Sequence, residues 1–128
     1  MNIIDFLGAM SFWPKKEYAK FLSEASYFED EGIRCEVARN HLSSTEVLVR
    51  LAGDSSVNVR FNVAVNFNTP VEVLTTLSSD KVAMVRYAVA RNPNTLEEDI
   101  IKLAKDKAWS VRETAKKTLA ERGKKEEV

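Results

Sequence analysis

Apolar positions along this chain form two kinds of short stripe that alternate. One runs Val59, Val63 and on to Asn66, with Ala64 at its margin; the other is Leu74 and Leu77. Steps of three to four residues put each stripe on one face of a helix. The same stripes recur at a fixed distance. Ile33-Arg34, Val59-Arg60, Val85-Arg86 and Val111-Arg112 follow one another every 26 residues. In the same register stand Val37, Val63 and Val89, each followed by Ala; Asn40, Asn66 and Asn92; Leu48, Leu74 and Ile100; Leu51, Leu77 and Leu103; and Asp54, Asp80 and Asp106. So many columns in one register mark an internal repeat.

Each unit reads as two helices of about ten residues, too short to be stable alone. They must stack on neighbouring units to bury their faces. Asn66-Phe67-Asn68 breaks the first helix, since Asn tolerates the left-handed conformation. Thr69, Pro70 and Glu72 then suggest a capping box at the start of the second helix. Ser43 with Glu46, and Thr95 with Glu98, repeat the device.

The ends differ from the middle. Lys15 to Glu29 reads as an amphipathic cap helix, with Tyr18, Phe21, Leu22 and Ala25 toward the first unit. At the other end Trp109 to Arg122 reads as a last first-type helix. Its exposed side is polar through Glu113, Lys116, Lys117 and Glu121, and Thr118 takes the Asn position. The expectation is therefore an all-α single domain: a short right-handed α-solenoid of about 3.5 repeats with an N-terminal cap. Residues 1–30 form the cap, 31–56, 57–82 and 83–108 the repeats, 109–122 a terminal half-repeat and 123–128 a charged tail.

Composition narrows the function classes. Lys+Arg and Asp+Glu are both 19, so no net field draws the chain to nucleic acid or membrane. Cys35 is the only cysteine and His41 the only histidine, which leaves no internal disulfide and no cluster of Cys or His for a metal. His41 is expected as a solvated turn residue. Cys35 has no basic neighbour in the pattern to favour a thiolate, so it is expected to be unreactive. Asp5 interrupts the apolar start and no run approaches the ~20 apolar residues of a membrane span. With no signal-peptide layout either, a cytoplasmic protein is expected.

The run Val85-Arg86-Tyr87-Ala88-Val89-Ala90-Arg91-Asn92-Pro93-Asn94-Thr95, with the closes Leu51-Ala52-Gly53-Asp54 and Leu103-Ala104-Lys105-Asp106, resembles the variant leucine-rich repeat family. The likeness covers residues 32–118. Asp54 and Arg60, Asp80 and Arg86, and Asp106 and Arg112, each six apart, also resemble the wider HEAT-like superfamily. The resemblance implies a scaffold that binds macromolecules, with Asp and Arg columns linking consecutive repeats. Phe28 stands where the first unit's ladder Asp would be, so the ladder is expected to begin at Asp54. The chain carries no Cys-rich leading segment of the kind that holds an iron–sulfur cluster in a member of that family, and no cofactor is expected.

The column after the Arg is more informative for function: Cys35, Phe61, Tyr87 and Glu113. On a helix Val57, Phe61 and Val65 lie opposite Val59 and Val63. By resemblance this helix lines the concave face. Phe61, Val65, Tyr87 and Trp109 would then form an apolar patch flanked by Arg39, Arg91 and Lys117, the composition of an interface hot spot. The other reading is that Phe61 and Tyr87 wedge between adjacent helices as extra core. No convergent acid, base or nucleophile suggests catalysis. The expected function is a monomeric, non-enzymatic scaffold that receives a peptide or helix of a partner protein. The alternative is a nucleic-acid-binding repeat in which Arg39, Arg91, Lys116 and Lys117 follow phosphates.

Overall fold

The computed structural model describes residues 12–126, with side chains through Gly123. Residues 1–11 of the expected cap, and the side chains of the expected tail from Lys124 on, lie outside the described residues. The described residues form eight helices and no strand. They are α1 (Lys15–Ala25), α2 (Glu31–Arg39), α3 (Thr45–Leu51), α4 (Val57–Val65), α5 (Val71–Leu77), α6 (Ala83–Arg91), α7 (Glu97–Leu103) and α8 (Trp109–Glu126).

Helices of nine and seven residues therefore alternate from α2 to α7. Both are shorter than the pattern suggested, because the turns between them are built from bonded residues rather than frayed helix ends. α1 also stops early, at Ala25, where the Ser26 hydroxyl donates back to the Ser23 carbonyl. Asp30 then begins α2 by accepting from the Ile33 N–H. At the other terminus Gly123 does not stop α8, which continues to Glu126.

α1 packs on α2; α2 on α4, α4 on α6, and α6 on α8; and α3, α5 and α7 each pack on the long helices before and after them. One core runs through the whole set, from Tyr18 and Leu22 through Val37, Val63 and Val89 to Val111 and Ala115, all nearly inaccessible. Leu48, Leu74 and Ile100 of the short helices are completely buried. Burying each such side chain contributes about 1.5–3 kcal/mol, and that, not helix propensity, holds seven-residue helices.

The capping boxes are not formed. Thr69, Ser43 and Thr95 instead donate their hydroxyls backward, to the carbonyls of Val63, Val37 and Val89, at 2.6, 2.6 and 2.7 Å. These hydroxyls are buried. The carbonyls of a helix's last turn have no partner within the helix, and water does not reach them here. Pro70 and Leu96 stand at the caps of α5 and α7 without side-chain bonds, while Ser44 caps α3.

The Asn column does not use the left-handed region, since no described residue other than Gly has a positive φ. Asn66 is extended, with φ −68° and ψ 125°. Its amide instead joins units: it donates to the carbonyls of Ala38 and Asn40 at 2.8 and 3.0 Å and accepts from the Asn68 N–H at 2.8 Å. Asn92 repeats this with Ala64, Asn66 and Asn94. Thr118, in the same column, reaches the Ala90 carbonyl.

The Arg column also joins units, but through main-chain carbonyls of the preceding unit, while the carboxylate each Arg pairs with lies 20 residues on in its own unit. Arg34, Arg60 and Arg86 pair with Asp54, Asp80 and Asp106, at Nε–Oδ2 distances of 2.9, 2.8 and 2.8 Å. The residue six before each Arg supplies only its carbonyl: Asp54 to Arg60, Asp80 to Arg86 and Asp106 to Arg112. Phe28 does the same for Arg34, so a Phe there leaves the ladder intact. Among the described residues no helix is long and apolar enough to cross a membrane.

Candidate partner-binding surface

Two of the long helices bring the aromatic column to the surface. Val59 and Val63 of α4, and Val85 and Val89 of α6, are fully buried, which fixes the rotation of both helices. Phe61 and Tyr87 consequently emerge between them. Each is half-buried and packs against the core on one side. On the other side both line a hollow of about 260 Å³, together with Val65, Phe67, Ala88, Arg91 and Asn92. The same rings are thus core on one side and surface on the other.

Electrostatics are concentrated at the rim. Arg91 donates to the Tyr87 hydroxyl at 3.2 Å, and its guanidinium carbon lies 5.7 Å from the Tyr87 ring centroid. Arg91 forms no ion pair among the described residues, so its charge is available to a partner. A second, more polar hollow of about 380 Å³ adjoins it, lined by Tyr87, Arg91, Thr114, Lys117, Thr118 and Glu121.

Of the seven expected surface residues, Phe61, Val65, Tyr87 and Arg91 meet in the first hollow and Lys117 joins Tyr87 and Arg91 in the second. Arg39 and Trp109 line neither. Arg39 is engaged by Glu36, one turn earlier on α2. Trp109 is 69% exposed as the first residue of α8, in the column of Val57 and Ala83, not that of Phe61 and Tyr87. Phe67 was not among the expected residues, yet it is 67% exposed and walls the hollow. The signal for it was its column, His41, Phe67 and Pro93, where only one unit places a large apolar side chain in a turn.

Neither remaining candidate group gathers chemistry. Burial pushes the Cys35 thiol above its ordinary value, and a hydrogen bond with Asn62 opposes this only in part. That disfavours the nucleophilic thiolate. His41 is exposed in its turn. No group of three or more His, Cys, Asp or Glu among the described residues could hold a metal ion.

Comparison of the chain with family models, with curated proteins and with solved structures finds no match in any of the three.

Proposed function

We propose that this chain is a short right-handed α-solenoid of about 3.5 units, akin to variant leucine-rich and HEAT-like repeats, and that it acts in the cytoplasm as a monomeric, non-enzymatic scaffold. Its ligand is a peptide or helix of a partner protein, held along the α4–α6 side. The observation that carries this reading is the hollow between Phe61 and Tyr87, with Val65 and Phe67 exposed at its wall and the Arg91 guanidinium at its rim. Partly exposed aromatics beside an Arg are what interface hot spots are made of. At about 260 Å³ the hollow is smaller than a typical small-molecule pocket of ~300–1,000 Å³ and open at the surface, a size for side chains of a docked segment.

Helix packing supports the same side. The long helices pack directly on one another, while the short helices pack on the long ones. In this reading the long helices, packed on one another in this way, line the concave side. Two of the four basic side chains that would follow phosphates are already engaged, Arg39 with Glu36 and Lys116 with Glu113, which leaves Arg91 and Lys117 as a small basic set for a nucleic acid.

Selection from a displayed random-peptide library tests the reading. Val65→Asn with Phe67→Ser changes two exposed residues, where stability shifts are usually within about 0.5 kcal/mol each. Peptides selected by the native chain should lose binding to this folded variant. Peptides that bind both proteins equally would remove the hollow from the account. Steeply salt-dependent binding of an oligonucleotide, with no peptide selected, would favour the nucleic-acid alternative.

A further inference from the structure

A second surface lies on the edge formed by the turns that carry the ladder aspartates. Between residues 78–81 and 105–107, against α7, runs a groove of about 830 Å³ that shares no residue with the aromatic hollow. Lys81, Lys102, Lys105 and Lys107 line it and are all exposed. None of the four forms an ion pair among the described residues; Lys102 makes one hydrogen bond, to the Ser79 hydroxyl at 3.2 Å.

Two of the three acids that line the groove, Asp80 and Asp106, are already engaged. Asp80 accepts from Arg60 and the Val82 N–H, and Asp106 from Arg86 and the Ala108 N–H. Each carboxylate is thus matched by a guanidinium, which leaves four lysines against Glu98 in the groove. Its floor is not wholly polar, because Ile101 is 47% exposed there. Mutually repelling cations left unpaired around an apolar side chain are stabilised by an anionic ligand that brings an apolar group with it.

The extent of the charge decides the kind of ligand. Lys81 and Lys107 belong to a column whose earlier members are Glu29 and Ser55. The basic zone therefore covers only the last two turns and meets acid at the other end of the same edge. A nucleic-acid strand needs cations along its length; a short segment does not. We propose that this groove binds a short acidic peptide segment of a partner protein, its carboxylates among the four lysines and one apolar side chain on Ile101.

Fluorescence anisotropy of the full chain with a labelled peptide of glutamates around one central leucine tests this. Lys105→Glu with Lys107→Glu should weaken binding by about tenfold or more, as expected for charges at a desolvating contact. Lys16→Glu with Lys20→Glu makes the same change of net charge at exposed sites on α1 and should leave binding within roughly twofold, because distant exposed charges are screened. Equal losses in the two double variants, or none in either, would overturn the proposal by showing general attraction or no site. A thymidine oligonucleotide of equal charge that binds more tightly than the peptide, and loses affinity in the same groove variant, would also overturn it in favour of nucleic acid.

Discussion

Removing the Asp80 carboxylate breaks the contact through which Arg60, at the start of its unit, holds the turn that closes the same unit. Arg60 donates to it from Nε at 2.8 Å and from the second guanidinium nitrogen at 3.4 Å, and both side chains are under a tenth exposed. Breaking a buried ion pair from one side costs about 3–5 kcal/mol. The middle of that range applies, because the Arg60 guanidinium keeps its bonds to the carbonyls of Asp54 and Ser55 while the Val82 N–H loses its acceptor. Arg60→Ala loses those bonds too and belongs at the upper end. The double substitution removes the shared interaction only once, so it should cost about 2–3 kcal/mol less than the sum, within the range for contacting residues. The cycle pairing Asp80→Ala with Arg86→Ala is the control. Arg86 takes its carboxylate from Asp106 and touches Asp80 only through the main-chain carbonyl, which alanine retains. Its coupling should stay below about 1 kcal/mol. Urea unfolding followed by circular dichroism and by the fluorescence of Trp13 and Trp109, near the two ends, gives all the free energies needed. Coupling to Arg86 as large as that to Arg60 would refute the ladder described above.

Asn66→Ala should destabilise by about 2–4 kcal/mol, since it leaves two carbonyls and one N–H without a buried partner. Asn66→Thr should recover part of that, as Thr118 serves one carbonyl from the same column; a thermal melt in which neither variant moves would remove the Asn column from the account of stability. Acid should also destabilise the fold: burial raises the Asp54 and Asp106 carboxyls, but Arg34 with the Ser56 N–H, and Arg86 with the Ala108 N–H, more than reverse this and hold both below the ordinary value. Their contribution is complete above the ordinary aspartate pKa of about 3.9 and is lost as pH falls below it through the folded values. Urea midpoints that do not fall across that window, or that fall equally in Asp54→Asn, would contradict this.

The helices and their buried faces were legible because a 26-residue spacing aligns identical chemistry in every unit, so Val63 and Leu74 are each supported by their counterparts. The joints were legible only as columns. Asp80 and Arg86 are near in sequence, but α6 starts between them and carries the Arg86 side chain toward the following turn, where Asp106 waits. The true partners stand 20 residues apart at the two ends of one unit, brought together where its second helix returns beside its first, and spacing along one helix does not reveal that. The hydroxyls failed for a related reason. Thr69 precedes a Pro and a Glu, as an N-cap would, yet its burial puts the need for a donor on the Val63 carbonyl behind it. At the surface, Arg39 looked free in the pattern because its local partner Glu36 is one of many acids on exposed faces.

These joints also restrict where recognition can fall. The Arg and Asn columns are occupied at each junction between full units, donating to carbonyls of the preceding unit, and the Asp column is held by the Arg of its own unit. A residue committed to two neighbours in the fold cannot also serve a partner without giving up a buried bond, at a cost of about 1–3 kcal/mol. Under the proposed binding function, selectivity therefore falls to columns whose side chain is not needed by the joint, and those columns change from unit to unit. Cys35, Phe61, Tyr87 and Glu113 make one such series; Glu29, Ser55, Lys81 and Lys107 make another. The first supplies the rings of the aromatic hollow and the second two of the four lysines of the basic groove. In a chain built from repeats, the positions that break the repeat without disturbing a joint are the ones left to distinguish one ligand from another.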